Sequence, residues 1–319
     1  MLSDRQVTRP LLAAVFALGI IACESRSDEG EETAAADTTS SASVTDSSFS
    51  LVTTIAGFSA PEAARYDGEQ DVWFVSNING MPSEEDNNGF ISRVRPNGTI
   101  DSLHFIAGGR NGVTLNAPKG MILAGDTLWV ADIGVARAFN ARTGAAIGSL
   151  PAPGATMLND LALGPDGSVY ITDTGLKFGV EGAQPQPSRI YRVSGMRIAQ
   201  VLEAASLQGP NGIAWDSGRN AFIIGSMMGD SLYAWAPNDS APRSVAAGPG
   251  QWDGIAVLPD GRVLATSWTD SSLYVLENDA LRRAVSGVNG PAAIGVDPQR
   301  MQVAIPSIPG NEVRIYRVP

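Results

Sequence analysis

The chain has one cysteine and one histidine in 319 residues. A lone cysteine, Cys23, excludes any disulfide within the chain, so an oxidising compartment adds nothing to its stability. A lone histidine, His104, reads as a structural or surface residue, and it excludes proton transfer through a histidine constellation. Positive charge is scarce: 22 Lys and Arg face 33 Asp and Glu, for a net charge of −11. That balance argues against a nucleic-acid partner and against adhesion to anionic lipid headgroups. The apolar run at residues 11–22 is too short to span a membrane as a helix. Long amphipathic periods are few. With 35 Gly and 20 Pro, the chain points to many turns and an all-β fold.

What is present begins with an address. Arg5 and Arg9 give a positive start, and residues 11–22 form an apolar stretch of signal length. It ends in Ile20-Ile21-Ala22-Cys23, which resembles a bacterial lipobox with Cys23 as the lipidated residue. An ordinary signal peptide is the alternative. Residues 1–22 are thus expected to be a lipoprotein signal, and 23–48 a lipidated cysteine with a tether. The stretch 24–48 carries seven acids against one arginine, is rich in Ser and Thr, and has no large apolar residue but Val44. Such a segment buries too little surface to offset the entropy of ordering, so disorder is expected. The expected location is outside the cytoplasm, lipid-anchored to a bacterial membrane, in the periplasm or at the cell surface.

Residues 49–319 repeat a simple grammar: a short apolar strand, a tight turn, then a strand rich in β-branched and aromatic residues. DLALGPDGSVYITDT and GIAVLPDGRVLATSW are two of six copies. A third strand follows in most copies; in the second, only VARAFNA is available. Equivalent positions recur after 57, 40, 52, 42 and 39 residues. A period near 40 with several strands per unit is the signature of a β-propeller. The expectation is one all-β, six-bladed propeller and a monomer. Residues 49–55 (FSLVTTI) form an orphan strand before the first copy. Pairing it with the C-terminal EVRIYRV as the outermost strand of blade six closes the ring.

The six copies begin alike. In register they read Pro61-Glu62-Ala63, Pro118-Lys119-Gly120, Leu158-Asn159-Asp160, Pro210-Asn211-Gly212, Trp252-Asp253-Gly254 and Pro291-Ala292-Ala293. In a closed ring, equivalent positions lie at one height around one axis. Glu62, Asn159, Asn211 and Asp253 therefore converge, and two carboxylates with two amide carbonyls suit one hard divalent cation. Calcium, magnesium and manganese are hard cations of this kind. Lys119 falls in the same ring; it either points aside or binds substrate. Two long loops, 79–89 and 175–188, fall on the face of these residues and read either as a lid or specificity wall or as surface elaboration.

These residues resemble the six-bladed propellers of the SMP-30/gluconolactonase/luciferin-regenerating-enzyme-like family and, more distantly, the paraoxonase-type lactonases. The resemblance covers about residues 57–319. It implies a divalent cation in the central channel, held by Glu62 of blade one, Asn211 of blade four and Asp253 of blade five, with the Asn159-Asp160 pair of blade three lining the site. It also implies metal-assisted hydrolysis of a small lactone or ester. In that reading Asp253 is the general base, Asn159 and Asp160 orient water or substrate, and Lys119 polarises a carbonyl or anchors a carboxylate. The chain departs from the family at Met157, where gluconolactonases tend to carry an arginine that grips sugar hydroxyls. The rival reading is a non-catalytic binding module on the same tethered propeller, with a cation that only ties the blades together.

Overall fold

A computed structural model describes residues 48–179 and 182–319. The expected signal segment, Cys23 and all of the tether but Ser48 lie outside the described residues. Among the described residues the only helical element is one 3-10 turn, Ala205–Leu207.

Six antiparallel four-stranded sheets follow one another along the chain. Blade one runs Pro61–Asp67, Val72–Asn77, Phe90–Val94 and Ile100–Ala107 from the inside out. The inner strands of the next four blades are Pro118–Ala124, Leu158–Leu163, Pro210–Asp216 and Trp252–Val257. Blade six has the short inner strand Gly295–Asp297, then Gln302–Ser307 and Glu312–Arg317. Its fourth strand is Ser50–Ala56, from the other end of the described chain, paired antiparallel from Ser50 opposite Arg317 to Ala56 opposite Glu312, with one register shift between Leu51 and Thr53. The orphan strand thus closes the ring as the sequence predicts. A β-propeller needs such a seam because an unfinished blade would present an open edge.

Apolar side chains sort into six clusters, one at each seam between neighbouring blades. Phe74, Ile91, Met121 and Leu128 fill the first seam, and Ile55, Trp73, Val313 and Ile315 fill the closing one. Between blades three and four the filling is aromatic, with Tyr170 and Phe222 rings 4.5 Å apart. Most second strands read as continuous buried runs because both of their faces pack against a neighbouring blade; Val72–Asn77 is buried throughout.

Two features differ from the sequence reading. Each of the first five blades has a fourth strand, such as Arg243–Ala247 or Ala146–Pro151. These outer strands are mostly solvated, so they carry no apolar run to reveal them. The segment 175–188 is not plain loop: it contains the paired strands Leu176–Gly179 and Gly182–Pro185. Its Gly and Pro content hid that pairing.

The inner strands approach one another closely near the axis. Ala64 N–H donates to Ala293 O at 3.1 Å and Ala293 N–H to Glu62 O at 2.9 Å, directly across the closing seam. A Cβ on Gly212 would lie 2.1 Å from Asp253 O, so this glycine follows from close approach and not from turn geometry. Gly212→Ala is expected to cost about 1–3 kcal/mol in denaturant unfolding by forcing two backbones apart. Gly134→Ala, whose Cβ would meet nothing nearer than 3.5 Å, serves as the control, expected within ~0.5 kcal/mol of wild type.

Candidate functional site

The ring residues stand where five inner strands break register with their partners. The irregularities fall between Pro61 and Ala63, Pro118 and Met121, Leu158 and Leu161, Pro210 and Ile213, and Trp252 and Ile255. Such a bulge lifts a residue out of the ladder and re-aims its side chain. It also strips a backbone N–H of its ladder partner, which must be replaced. Hydroxyls from the second strands do this: Ser76 Oγ accepts from Ala63 N–H at 2.9 Å, Thr172 Oγ1 from Asp160 N–H at 3.0 Å, and Thr266 Oγ1 from Gly254 N–H at 2.7 Å. Thr172 then donates to Asn211 O at 2.6 Å and Thr266 to Ala292 O at 3.1 Å. Each of these two threonine hydroxyls so ties one ring segment to the next.

A second set of side chains clamps the approach to each inner strand. Asn77, Asp132, Asp173, Ser226, Ser267 and Ser307 sit opposite Pro61, Pro118, Leu158, Pro210, Trp252 and Pro291 in the strand registers. Asp132 accepts from Ala117 N–H at 2.8 Å, Asp173 from Met157 N–H at 2.9 Å, and Ser226 donates to Gln208 O at 2.7 Å. The mouth of the channel is therefore built from rigid strand ends.

Glu62, Asn159, Asn211 and Asp253 are all buried. Glu62 Oε2, Asn159 Oδ1, Asn211 Oδ1 and Asp253 Oδ1 share a further property: each is fully buried and accepts no hydrogen bond from the protein. Two of the four are held through their other side-chain atom. Trp268 Nε1 donates to Asp253 Oδ2 at 2.9 Å, and Asn159 Nδ2 donates to Thr174 Oγ1 at 3.0 Å. Leaving one buried oxygen unpaired is costly, and four at equivalent positions of one ring is a donor set in want of a partner. All four are hard oxygens, which fits a divalent cation such as calcium. Among the described residues no cluster of three or more His, Cys, Asp or Glu side chains forms, because half of this donor set is amide.

The charges around these oxygens are desolvated. Burial lifts the Glu62 carboxyl well above the usual range; Asp253 adds to the rise and Lys119 opposes it. Burial pushes Asp253 up to about 8 against the hydrogen bond from Trp268. Burial also pulls Lys119 below its ordinary value, with Glu62 and Asp132 opposing.

Lys119 and Asp160 are placed differently from the four. Lys119 Nζ donates to Pro82 O at 2.9 Å and to Ala117 O at 3.2 Å. Asp160 is fully buried; its Oδ1 accepts from Leu161 N–H at 2.8 Å and from Arg65 Nη2 at 3.1 Å. Arg65, whose Nε also donates to Met121 O at 2.6 Å, completes a buried ion pair across the channel. Sequence reasoning passed over Arg65, although it is the one positive charge in Pro61–Asp67. His104 is exposed on the outer strand Ile100–Ala107, its ring tilted against Phe90 with centroids 4.4 Å apart, far out in its blade.

The model of the SMP-30/Gluconolactonase/LRE-like region matches residues 60–294, a span that includes all six ring positions. The chain belongs to this family. Similar solved structures include a gluconolactonase from Xanthomonas campestris, 18% identical with TM-score 0.61, covering 83% of this chain and 88% of that one. A luciferin-regenerating enzyme is 12% identical with TM-score 0.60, covering 84% and 94%. A virginiamycin B lyase from Staphylococcus aureus, solved with quinupristin, is 11% identical with TM-score 0.55, covering 86% and 97%. At these identities the likeness is one of fold. No curated protein matches the sequence.

Relative to other members of the SMP-30/gluconolactonase-like family, this chain can be tested through its buried carboxyls. Asp253 ionises near 3.8 when unfolded and near 8 when folded without a cation. Between those values the folded chain holds the extra proton, so raising the pH through this window removes stability. Chelator-treated protein is expected to show a falling Tm from about pH 5 to pH 8. Asp253→Asn should flatten that fall, and saturating calcium should reverse it, because binding deprotonates the ligands. A Tm indifferent to pH and to calcium would contradict this account.

Proposed function

We propose that the chain is a divalent-cation-dependent hydrolase acting on a lactone or ester at the mouth of the propeller channel. The observation that carries this reading is the set of four buried, unpartnered oxygens from blades one, three, four and five. Family membership supports a lactonase-type reaction. Glu62, Asn159, Asn211 and Asp253 would hold the cation. When bound, it supplies Lewis acidity toward the substrate carbonyl and acidifies water.

The protein's own groups do the rest. Asp253 is the general base: Trp268 holds its Oδ2 at 2.9 Å, which fixes the direction in which Oδ1 faces the ring. Asn159 is oriented through Thr174, which itself donates to Pro210 O at 3.0 Å, so blades three and four share its position. Burial of the ring excludes water and strengthens each electrostatic contact made there. Met157 is buried and offers no donor for hydroxyls on its side of the site, so a substrate poor in hydroxyls is the better match than a sugar lactone.

The experiment is a panel of lactones and aryl esters given to the full chain with and without chelator. Turnover is expected to vanish on chelation and return with calcium, magnesium or manganese. Asp253→Asn is expected to lower kcat/KM by about 10²-fold or more with the fold retained. Turnover that survives both treatments would sink the proposal. The four oxygens come from four blades, and that arrangement also favours a second reading, a structural cation in a binding module. Cation-dependent stability without any turnover would establish the second reading.

We further propose that Cys23 is lipidated and anchors the exported chain. The support is the positive start, the apolar run and the tetrapeptide ending at Cys23. Cys23→Ser is expected to move the protein from the membrane fraction in cell fractionation.

A further inference from the structure

Lys119 is the one ring residue whose charge opposes a cation, and its position explains why it is tolerated. It occupies the second position of the blade-two inner strand and is 2% exposed. Its ammonium reaches out of the ring to Pro82 O, in the middle of loop 79–89, at 2.9 Å. The ends of that loop are tied independently. Asn79 Nδ2 donates to Asn88 O, Ser59 Oγ donates to Asn79 Oδ1, Asn87 N–H donates to Asn116 Oδ1, and Leu115 N–H donates to Asn87 Oδ1. The stretch 80–86 is different. Among the described residues its one hydrogen bond to a group outside the loop is the bond from Lys119. Met81 in this stretch is exposed, as are Glu84, Glu85 and Asp86; Pro82 and Ser83 are half-buried, and no residue of 80–86 is fully buried.

We propose that Lys119 is a positioning residue that latches loop 79–89 as a wall of the site, and that it does so in competition with the cation. The inference rests on the reading of the ring as a cation site. Charge makes the competition unavoidable. With a cation bound, Glu62 and Asp253 bring two negative charges to the ring, the Asp160 charge is matched by Arg65, and Lys119 sets one positive charge against the cation in the same ring. Reaching out to Pro82 O relieves part of the repulsion from a bound cation; further relief requires the ammonium to leave this buried place, which breaks the bond to Pro82. A neutral side chain would spare the cation that repulsion but would leave the loop unlatched and Pro82 O without its donor. Coupling of this kind is reciprocal: if the latch weakens cation binding by some factor, the cation weakens the latch by the same factor. Calcium should therefore loosen this loop while tightening the ring, the reverse of a ligand closing a lid.

Hydrogen exchange of the full chain, with calcium chloride as the probe, reads this directly. At saturating calcium, amides of 79–89 are expected to exchange about 5-fold faster or more, while the inner strands exchange more slowly. Lys119→Met is expected to exchange fast in that loop with or without calcium, and to bind calcium about 10-fold more tightly in calorimetry. Lys119→Arg, which keeps charge and donors, should restore the protected loop. The wild-type measurement stands by itself should Lys119→Met fail to fold. Calcium that slows or leaves unchanged the exchange of 79–89, or Lys119→Met that binds calcium no better, overturns the competition. A wild-type chain that binds neither calcium, magnesium nor manganese overturns the competition and the cation reading together. The exchange of 79–89 in Lys119→Met without metal then still decides the latch: protection equal to wild type overturns it.

Discussion

The site depends on how closely six backbones can approach one axis. Where inner strands meet, a ladder cannot continue on both sides, and the strands bulge. The bulge turns one side chain per blade toward the axis and leaves the following N–H in need of a partner. Ser76, Thr172 and Thr266 meet that need from the strand behind. Gly120, Gly212 and Gly254 meet the steric side of it, since a Cβ at any of them would lie within about 2.5 Å of the neighbouring segment. The oxygens at the mouth are thus a by-product of packing that selection can fill with carboxylates and amides.

Burial then sets the electrostatics. Water cannot solvate these carboxylates, so their charge must be balanced by protons, by a cation or by nearby positive side chains. The chain uses the last of these means twice. Arg65 neutralises Asp160 inside the channel, and Lys119 offsets Glu62 at its mouth. What is left is less than the two full charges of Glu62 and Asp253, which stand on opposite sides of the two asparagines in chain order. A site with so little spare charge discriminates by geometry and oxygen count more than by raw attraction.

The fold was legible because its rule repeats. Six copies of one strand pair, read in register, gave the blade count, the closing strand and the ring positions from Glu62 to Ala292. The outer strands were illegible because one or both faces are wet, and Leu176–Gly179 with its partner lacked alternation. At the site, residue type and register picked out the four oxygens that the structure buries without partners. The same reasoning did not say where Lys119 would point, because its partners are backbone carbonyls that carry no residue identity. Arg65 went unnoticed because its meaning depends on Asp160, 95 positions later. The hydroxyl series had a signal after all: Ser76, Thr172 and Thr266 share one place in their repeats.

The closing strand has a consequence for how the molecule comes into being. Ser50–Ala56 is made first of all the propeller strands, yet its partner Glu312–Arg317 is made last. At ordinary synthesis rates of about 5–20 residues per second, the first strand waits tens of seconds or less for its mate. Throughout that interval five blades can assemble while the sixth lacks an edge on each side. A nascent chain stopped short of Glu312 can stack blades but has no way to lock the circle. Completion of the ring therefore reports that all six blades have been made, and a stop before Glu312 leaves two unpaired edges exposed to quality control.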